Sequence, residues 1–291
     1  MPQTVLILGA SGLFGSHASA AFTTAGWTVR HYQRGTDMAR AAMGADLIVN
    51  ALNPPNYHNW AVLIPQITAQ VIAAAKASGA TILVVGNVYP YGSAPSPWGP
   101  DTPHHPNTRK GRIRATMEAS YAAAARLGQR TIILRGGDFV APKSPRSIWN
   151  MIVLKPLGKG RITSFGDPSV RRAYAYLPDM ARAAVALAEI RATLPAFADV
   201  PLPGVTISMA DLAAEITAQT GKPILVKQFN WLQIRLLAPF WELARELMEM
   251  RYLFDLPHSL ASEPLARILP DFKTTPLHQI VAEHLLVPKA R

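Results

Sequence analysis

The chain of 291 residues reads as an α/β protein: a doubly wound parallel sheet flanked by helices, with a smaller α+β region behind it. Three observations predict this. Short apolar, partly β-branched runs recur through the first half, at Thr4–Leu8, Trp27–Tyr32, Asp46–Leu52, Thr81–Val85 and Thr131–Leu134. Most are continuous rather than alternating, as strands covered on both faces require. Segments of helical periodicity lie between them, and such alternation builds parallel sheets. The third observation is a glycine triplet, Gly9, Gly12 and Gly15, directly behind the first run.

That triplet sets the chemistry. A residue without Cβ lets the chain turn sharply and bring backbone N–H groups against a pyrophosphate, while the following helix aims its positive dipole end at the same anion. A strand before the loop and a helix after it are the context such a cradle needs. Gly9, Ser11, Gly12, Leu13, Phe14 and Gly15 are therefore expected to bind a dinucleotide on a Rossmann fold. The helix from Ser16 to Ala25 stops at Gly26. At the end of the second strand an acid would bind the ribose 2′-hydroxyl of NAD, and a base would accommodate the 2′-phosphate of NADP. The sequence offers Arg30, His31, Tyr32, Gln33 and Arg34, with no carboxylate before Asp37. NADP is the expected cofactor over NAD, with Arg34 on its phosphate; otherwise these cations are exposed strand ends.

One short helical segment, Asp37–Met43, separates the second strand from Asp46–Leu52, so the sheet is expected to lack one strand. Asn50, Ala51 and Leu52 fall at the strand's C-terminal end, where ligands bind in such sheets. The proline-stiffened loop Asn53–Trp60 is either a substrate wall or a rigid connector. Ile64–Ser78 is an alanine-rich helix ended by Gly79, and Ala94–Asn107 carries too many prolines for helix or inner strand. His104 and His105 have neither helical spacing nor acidic companions, so no metal site is expected.

The spacing Gly-x-x-Gly-x-x-Gly resembles the loop of the extended and atypical short-chain dehydrogenase/reductase superfamily, in its epimerase/dehydratase-like branch. Later segments are similar too. Gly86-Asn87-Val88-Tyr89-Pro90-Tyr91-Gly92 resembles the stretch in which that family places a serine that polarises the substrate carbonyl. Asn87 stands at the serine position, where its amide can still donate to an oxyanion, and Tyr89 and Tyr91 bring phenols close by. Arg109–Glu118 resembles the family's Tyr-x-x-x-Lys-x-x-x-Glu helix, with Lys110 in place of the tyrosine and Arg114 in place of the lysine. None of the 8 tyrosines has lysine four residues later, so tyrosine proton relay at that position is excluded. The resemblance implies that Arg114 binds the nicotinamide ribose and that Lys110 donates a proton if its pKa is lowered. Four cations at a helix start also call for an anion nearby, either cofactor phosphate or an acidic substrate; otherwise this is a solvated helix start with snorkelling side chains. Leu134–Pro142 resembles a strand exit that lines the nicotinamide; Asp138 there is a base, a partner for Arg114, or a structural ion pair. Residues 162–176 resemble a substrate-domain hairpin, Asp179 a helix-start carboxylate, and Ser208 with Asp211 a capping box.

Composition narrows the rest. With 49% hydrophobic and 16% charged residues the chain can bury a core. It has no cysteine, which removes disulfides, thiolate nucleophiles and zinc–thiolate sites. No signal pattern opens it and no apolar run reaches the roughly 20 residues that span a bilayer, so a cytoplasmic protein is expected. The net charge of +11 accompanies no nucleic-acid motif. The expected partner is therefore a small molecule, anionic given the scattered cations, and neither nucleic acid nor membrane. Trp231–Phe254 interleaves apolar residues with Arg and Glu around Pro239; its acids favour a core-packing or homodimer helix over an in-plane membrane helix.

The expected organisation is a dinucleotide-binding domain over residues 1–142, with 171–191 also in its core, and a substrate-binding region over 143–291. The expected activity is hydride transfer to or from a small carbonyl or hydroxyl compound, as an oxidoreductase or epimerase with a non-standard proton donor. The alternative is a catalytically silent NADP-binding sensor or scaffold.

Overall fold

A computed structural model describes residues 2–142 and 144–286. In chain order its strands are β1 (Thr4–Leu8), β2 (Thr28–His31), β3 (Leu47–Asn50), β4 (Thr81–Gly86), β5 (Thr131–Arg135), β6 (Asp138–Val140), β7 (Arg161–Ser164), β8 (Arg172–Tyr176), β9 (Phe197–Pro201), β10 (Val205–Ile207) and β11 (Leu225–Gln228). The helices are α1 (Leu13–Thr24), α2 (Met38–Ala42), α3 (Trp60–Ser78), α4 (Arg109–Arg126), α5 (Leu177–Glu189), α6 (Met209–Thr220), α7 (Trp231–Leu237), α8 (Glu242–Met250), α9 (Tyr252–Asp255), α10 (Glu263–Ile268) and α11 (Leu277–Leu286).

Six parallel strands form the main sheet, in the order β2-β1-β3-β4-β5-β9. The strand period of two divides each apolar run between two cores. Val5 and Ile7 face α1 and α5 with Phe14, Ala18, Phe22, Met180 and Ala184. Leu6 and Leu8 face the other side with Ile64, Val71, Met117 and Tyr121 from α3 and α4. The sheet is doubly wound, and β2 is its edge because only α2 separates it from β3. Asp37 caps α2 by accepting from the Ala39 and Arg40 N–H groups, and Thr108 caps α4 by accepting from Gly111; such caps are each worth about 1 kcal/mol.

The sheet draws its last strand from residues 197–201, beyond position 142, and α5 packs on α1. The remaining strands form two small sheets. In one, β8 pairs antiparallel with β10 and parallel with β6; in the other, β7 pairs parallel with β11. The hairpin expected over 162–176 is thus absent, since β7 and β8 belong to different sheets. A third core of Trp149, Ile162, Tyr174, Leu212, Ile216, Trp231 and Ile280 joins these sheets to α6, α7 and α11. The capping box of Ser208 and Asp211 is present at the start of α6.

Candidate functional site

The turn after β1 is built for close approach. Gly9 has φ +80°, and a Cβ there would lie 2.9 Å from the Ala51 carbonyl oxygen. A Cβ on Gly15 would collide with the Gly9 carbonyl. The Gly12 N–H donates to the Gly9 oxygen at 2.8 Å, which closes the turn and starts α1. No side chain caps α1 and its first turn carries no acid. Its first N–H groups are therefore ready for an anion. Arg146, which the sequence reading missed, donates from Nη2 to the Ser11 carbonyl at 2.6 Å and sets a guanidinium at the lip.

From this turn a cleft of about 470 Å³ runs along the C-terminal ends of β1, β3 and β4. Gly12, Leu13, Phe14, Asn50, Ala51, Leu52, Asn87, Tyr89 and Arg114 all line it, so most of the expected site residues converge. The Asn50 amide donates to Tyr121 Oη at 3.0 Å, and its oxygen accepts from the Leu52 N–H. Its side chain thus shapes the strand end, while its backbone borders the cleft. Asn87 Oδ1 accepts from the Tyr89 N–H at 3.1 Å, and the Asn87 carbonyl accepts from Arg135 Nη1. Arg135 is fully buried and also bridges Glu118 and Asp199. The turn carrying Asn87 and Tyr89 is consequently anchored to the sheet by a charged network. His104 lies beside Glu118 and Asp199, but Arg135 already engages both carboxylates.

Tyr89 and Tyr57 meet hydroxyl to hydroxyl at 3.1 Å. Tyr57 belongs to the loop at 53–60, in which Asn56, Tyr57 and Asn59 all have positive φ. Non-glycine residues take that conformation only where the surroundings impose it. Burial raises both phenols above the ordinary tyrosine value, Tyr89 well above. The buried guanidinium of Arg114 lies 4.6 Å from the Trp60 ring and donates to Asn53 Oδ1 at 2.8 Å. Its Nε has no hydrogen-bond partner, and among the described residues no carboxylate pairs with it. Burial lowers its pKa, although nearby groups oppose the shift.

Two expected catalytic residues do not line the cleft. Lys110 is fully buried and held by Glu246 and Glu249 of α8, with Glu249 at 2.6 Å; Arg109 pairs with Glu246 too. The anion that the basic start of α4 calls for is thus supplied by the chain itself. Tyr91 is fully buried, donates to the Gly99 carbonyl at 3.1 Å and stacks on Trp98. Asp138 accepts from Arg172 at 2.9 Å rather than from Arg114. This pair lines the far end of the cleft, with Leu247, Met250, Leu253 and Phe254 forming its apolar wall.

A second cleft, of about 620 Å³, opens beyond the end of β2. Arg34, Tyr32, Thr36, Gln66 and Gln70 are among its walls. Arg30 is used elsewhere, donating to the Met43 carbonyl at 3.0 Å. The two clefts share Leu52 and Asn53, so the second opens directly beside the first. The glycine turn, the uncapped helix and the orphaned Arg114 Nε fit a dinucleotide.

A doubly wound sheet with a glycine-lined helix start at its C-terminal edge is a dinucleotide-binding architecture. Residues 5–197 match the model of the NAD dependent epimerase/dehydratase family, and the chain belongs to that family. Among solved structures, UDP-N-acetylglucosamine 4-epimerase from Bacillus cereus superposes with TM-score 0.74 at 14% identity, over 98% of this chain and 99% of that one. UDP-glucose 4-epimerase from Brucella ovis, in complex with NAD, gives 0.72 at 15% identity, over 96% of each chain. TunA, an NAD-dependent NDP-hexosamine 5,6-dehydratase, gives 0.73 at 16% identity, over 97% and 96%. These likenesses establish the fold. No curated protein matches the sequence.

Proposed function

We propose that this chain is an NADP-dependent oxidoreductase or epimerase acting on a small carbonyl or hydroxyl compound, with Tyr89 as its proton donor. One observation carries the reading. The Tyr57–Tyr89 hydroxyl pair and the unpaired Arg114 border the same cleft as the uncapped start of α1. The neighbouring NAD complex and the family membership support the nicotinamide assignment.

The dinucleotide, when bound, supplies or accepts hydride at its nicotinamide ring. The chain's residues do the rest. The α1 N–H groups and Arg146 hold the diphosphate, and Arg114 takes a ribose hydroxyl. Arg34 holds the 2′-phosphate in the second cleft. In the reductive direction Tyr89 gives its proton to the substrate oxygen, and Tyr57 passes a proton to Tyr89 across the 3.1 Å contact. The oxidative direction runs the same transfers backwards. The Asn87 amide faces the oxygen that gains charge. The apolar wall of Leu247, Met250 and Phe254 holds the body of the substrate, and the Asp138–Arg172 pair its polar end.

The test is oxidation of NADPH by the purified chain against a panel of small aldehydes, ketones and keto-sugars. Turnover with at least one carbonyl, abolished in Tyr89→Phe while nucleotide affinity persists, supports the reading. Nucleotide binding without turnover of any carbonyl contradicts it.

A further inference from the structure

The segment from α7 to the start of α8 turns large apolar side chains to solvent. Phe240 is 90% exposed, Leu236 66%, Leu232 63%, Leu237 48% and Trp241 45%. Leu232 and Leu236 are four apart on one side of α7, and Leu237, Phe240 and Trp241 follow at its end and in the turn to α8. The opposite side of α7 is committed: Trp231 is buried and sits in the cluster with Phe165, Phe229 and Phe254. The core role expected for this stretch therefore holds for only half of it.

Charge separates across the same unit. Two acids of α8 are turned inward, Glu246 to Arg109 and Lys110 and Glu249 to Lys110, while Glu242 pairs with His58 at the surface. Arg235 and Arg245 are exposed, and neither forms an ion pair among the described residues. Arg245 Nη1 donates to the Ala238 carbonyl at 3.1 Å, which keeps its charge at the tip beside Phe240. The outer face is thus apolar with a cationic rim, on a chain of net charge +11.

We propose that this face docks on an anionic lipid bilayer, with Leu236 and Phe240 entering the acyl boundary and Arg235 and Arg245 meeting the headgroups. Aromatic and aliphatic side chains beside unpaired arginines are the composition of an interfacial anchor. An anionic surface receives these arginines directly. Helix α8, which follows this face, lends Leu247 and Met250 to the cleft wall.

The experiment is flotation of the full chain with vesicles of phosphatidylcholine alone or with phosphatidylglycerol added. Wild type should float with the anionic vesicles and be released by salt. Leu236→Ser with Phe240→Ser, and separately Arg235→Glu with Arg245→Glu, should each lower binding roughly tenfold or more. Both pairs are on the surface, and retained NADPH binding reports that they fold. The proposal is overturned by no flotation, by equal flotation with neutral and anionic vesicles, by full binding of either double variant, or by a solution dimer that the Leu236/Phe240 change splits.

Discussion

Lys110 Nζ lies 2.6 Å from a Glu249 carboxylate oxygen, and Glu249 also accepts from the Lys110 backbone N–H at 2.8 Å. This contact joins the start of α4 to α8 across 139 residues of sequence. Lys110 stands where the sequence resemblance would place a proton-relay tyrosine. In the structure that position serves as a buried ion pair between two helices. The side chain of Lys110 is fully enclosed and the pair holds α8 over the cleft.

Lys110→Met should therefore cost stability and spare chemistry. Removing one partner of a buried pair strands the other, typically at about 3–5 kcal/mol. Urea unfolding should show that loss, while kcat of the folded fraction stays near wild type. A variant of unchanged stability that has lost turnover would return Lys110 to the catalytic set.

Tyr89→Phe should lower kcat by about 10²–10⁴-fold, the usual contribution of a positioned general acid. Tyr57→Phe should lower it less, because Tyr57 only refills Tyr89. Since burial raises Tyr89 well above the ordinary tyrosine value, the phenol stays protonated throughout the neutral and mildly alkaline range. The reductive rate should accordingly stay level from about pH 7 to about pH 9.5. A decline centred inside that range would point to a different acid.

Arg34→Ala should weaken NADPH binding by about 1.5–3 kcal/mol, the value of a hydrogen bond to a charged group, roughly 10- to 150-fold. NADH binding should barely change. Equal losses for the two nucleotides, measured by fluorescence titration, would remove the 2′-phosphate assignment.

His258 and His284 are held below the ordinary histidine value, in both cases mainly by burial. His258 stacks on Trp98 at 4.8 Å, and His284 Nε2 is buried without a partner. Folding favours their neutral forms, so the unfolded chain binds more protons below the ordinary histidine value of 6.5. Stability should be complete above that pH and fall as the medium is acidified below about 6.5. His258→Phe with His284→Phe should flatten the dependence of Tm on pH in that window, and an unchanged slope would place it elsewhere.

The fold and the geometry of the glycine turn were legible because both are local. A continuous apolar run, three glycines and a helix start lie within fifteen residues, and each acts on its neighbours. The short link from β2 to β3 likewise announced the missing strand. The catalytic half depends on partners far away in sequence. Nothing near Lys110 reveals that Glu246 and Glu249 will fold onto it, and nothing near Tyr89 reveals that Tyr57 will reach its hydroxyl. Arg146 lacked a signal because its acceptor is the backbone carbonyl of Ser11. Tyr91 looked equivalent to Tyr89 in sequence, but Tyr89 lines the cleft while Tyr91 is buried against Trp98. The alternation in α7 and α8 does show amphipathicity, yet the pattern alone does not say which apolar side finds a core.

The central claim is that the β1–α1 turn and Arg114 hold a nicotinamide dinucleotide. Isothermal titration calorimetry of the wild-type chain and of Gly15→Val tests it most directly. The wild type should bind NADPH saturably at one site, and the Gly15→Val chain, folded by circular dichroism, should give no heat, because its side chain fills the space of the Gly9 carbonyl. A wild-type chain that takes up neither NADP nor NAD, oxidised or reduced, would contradict the account.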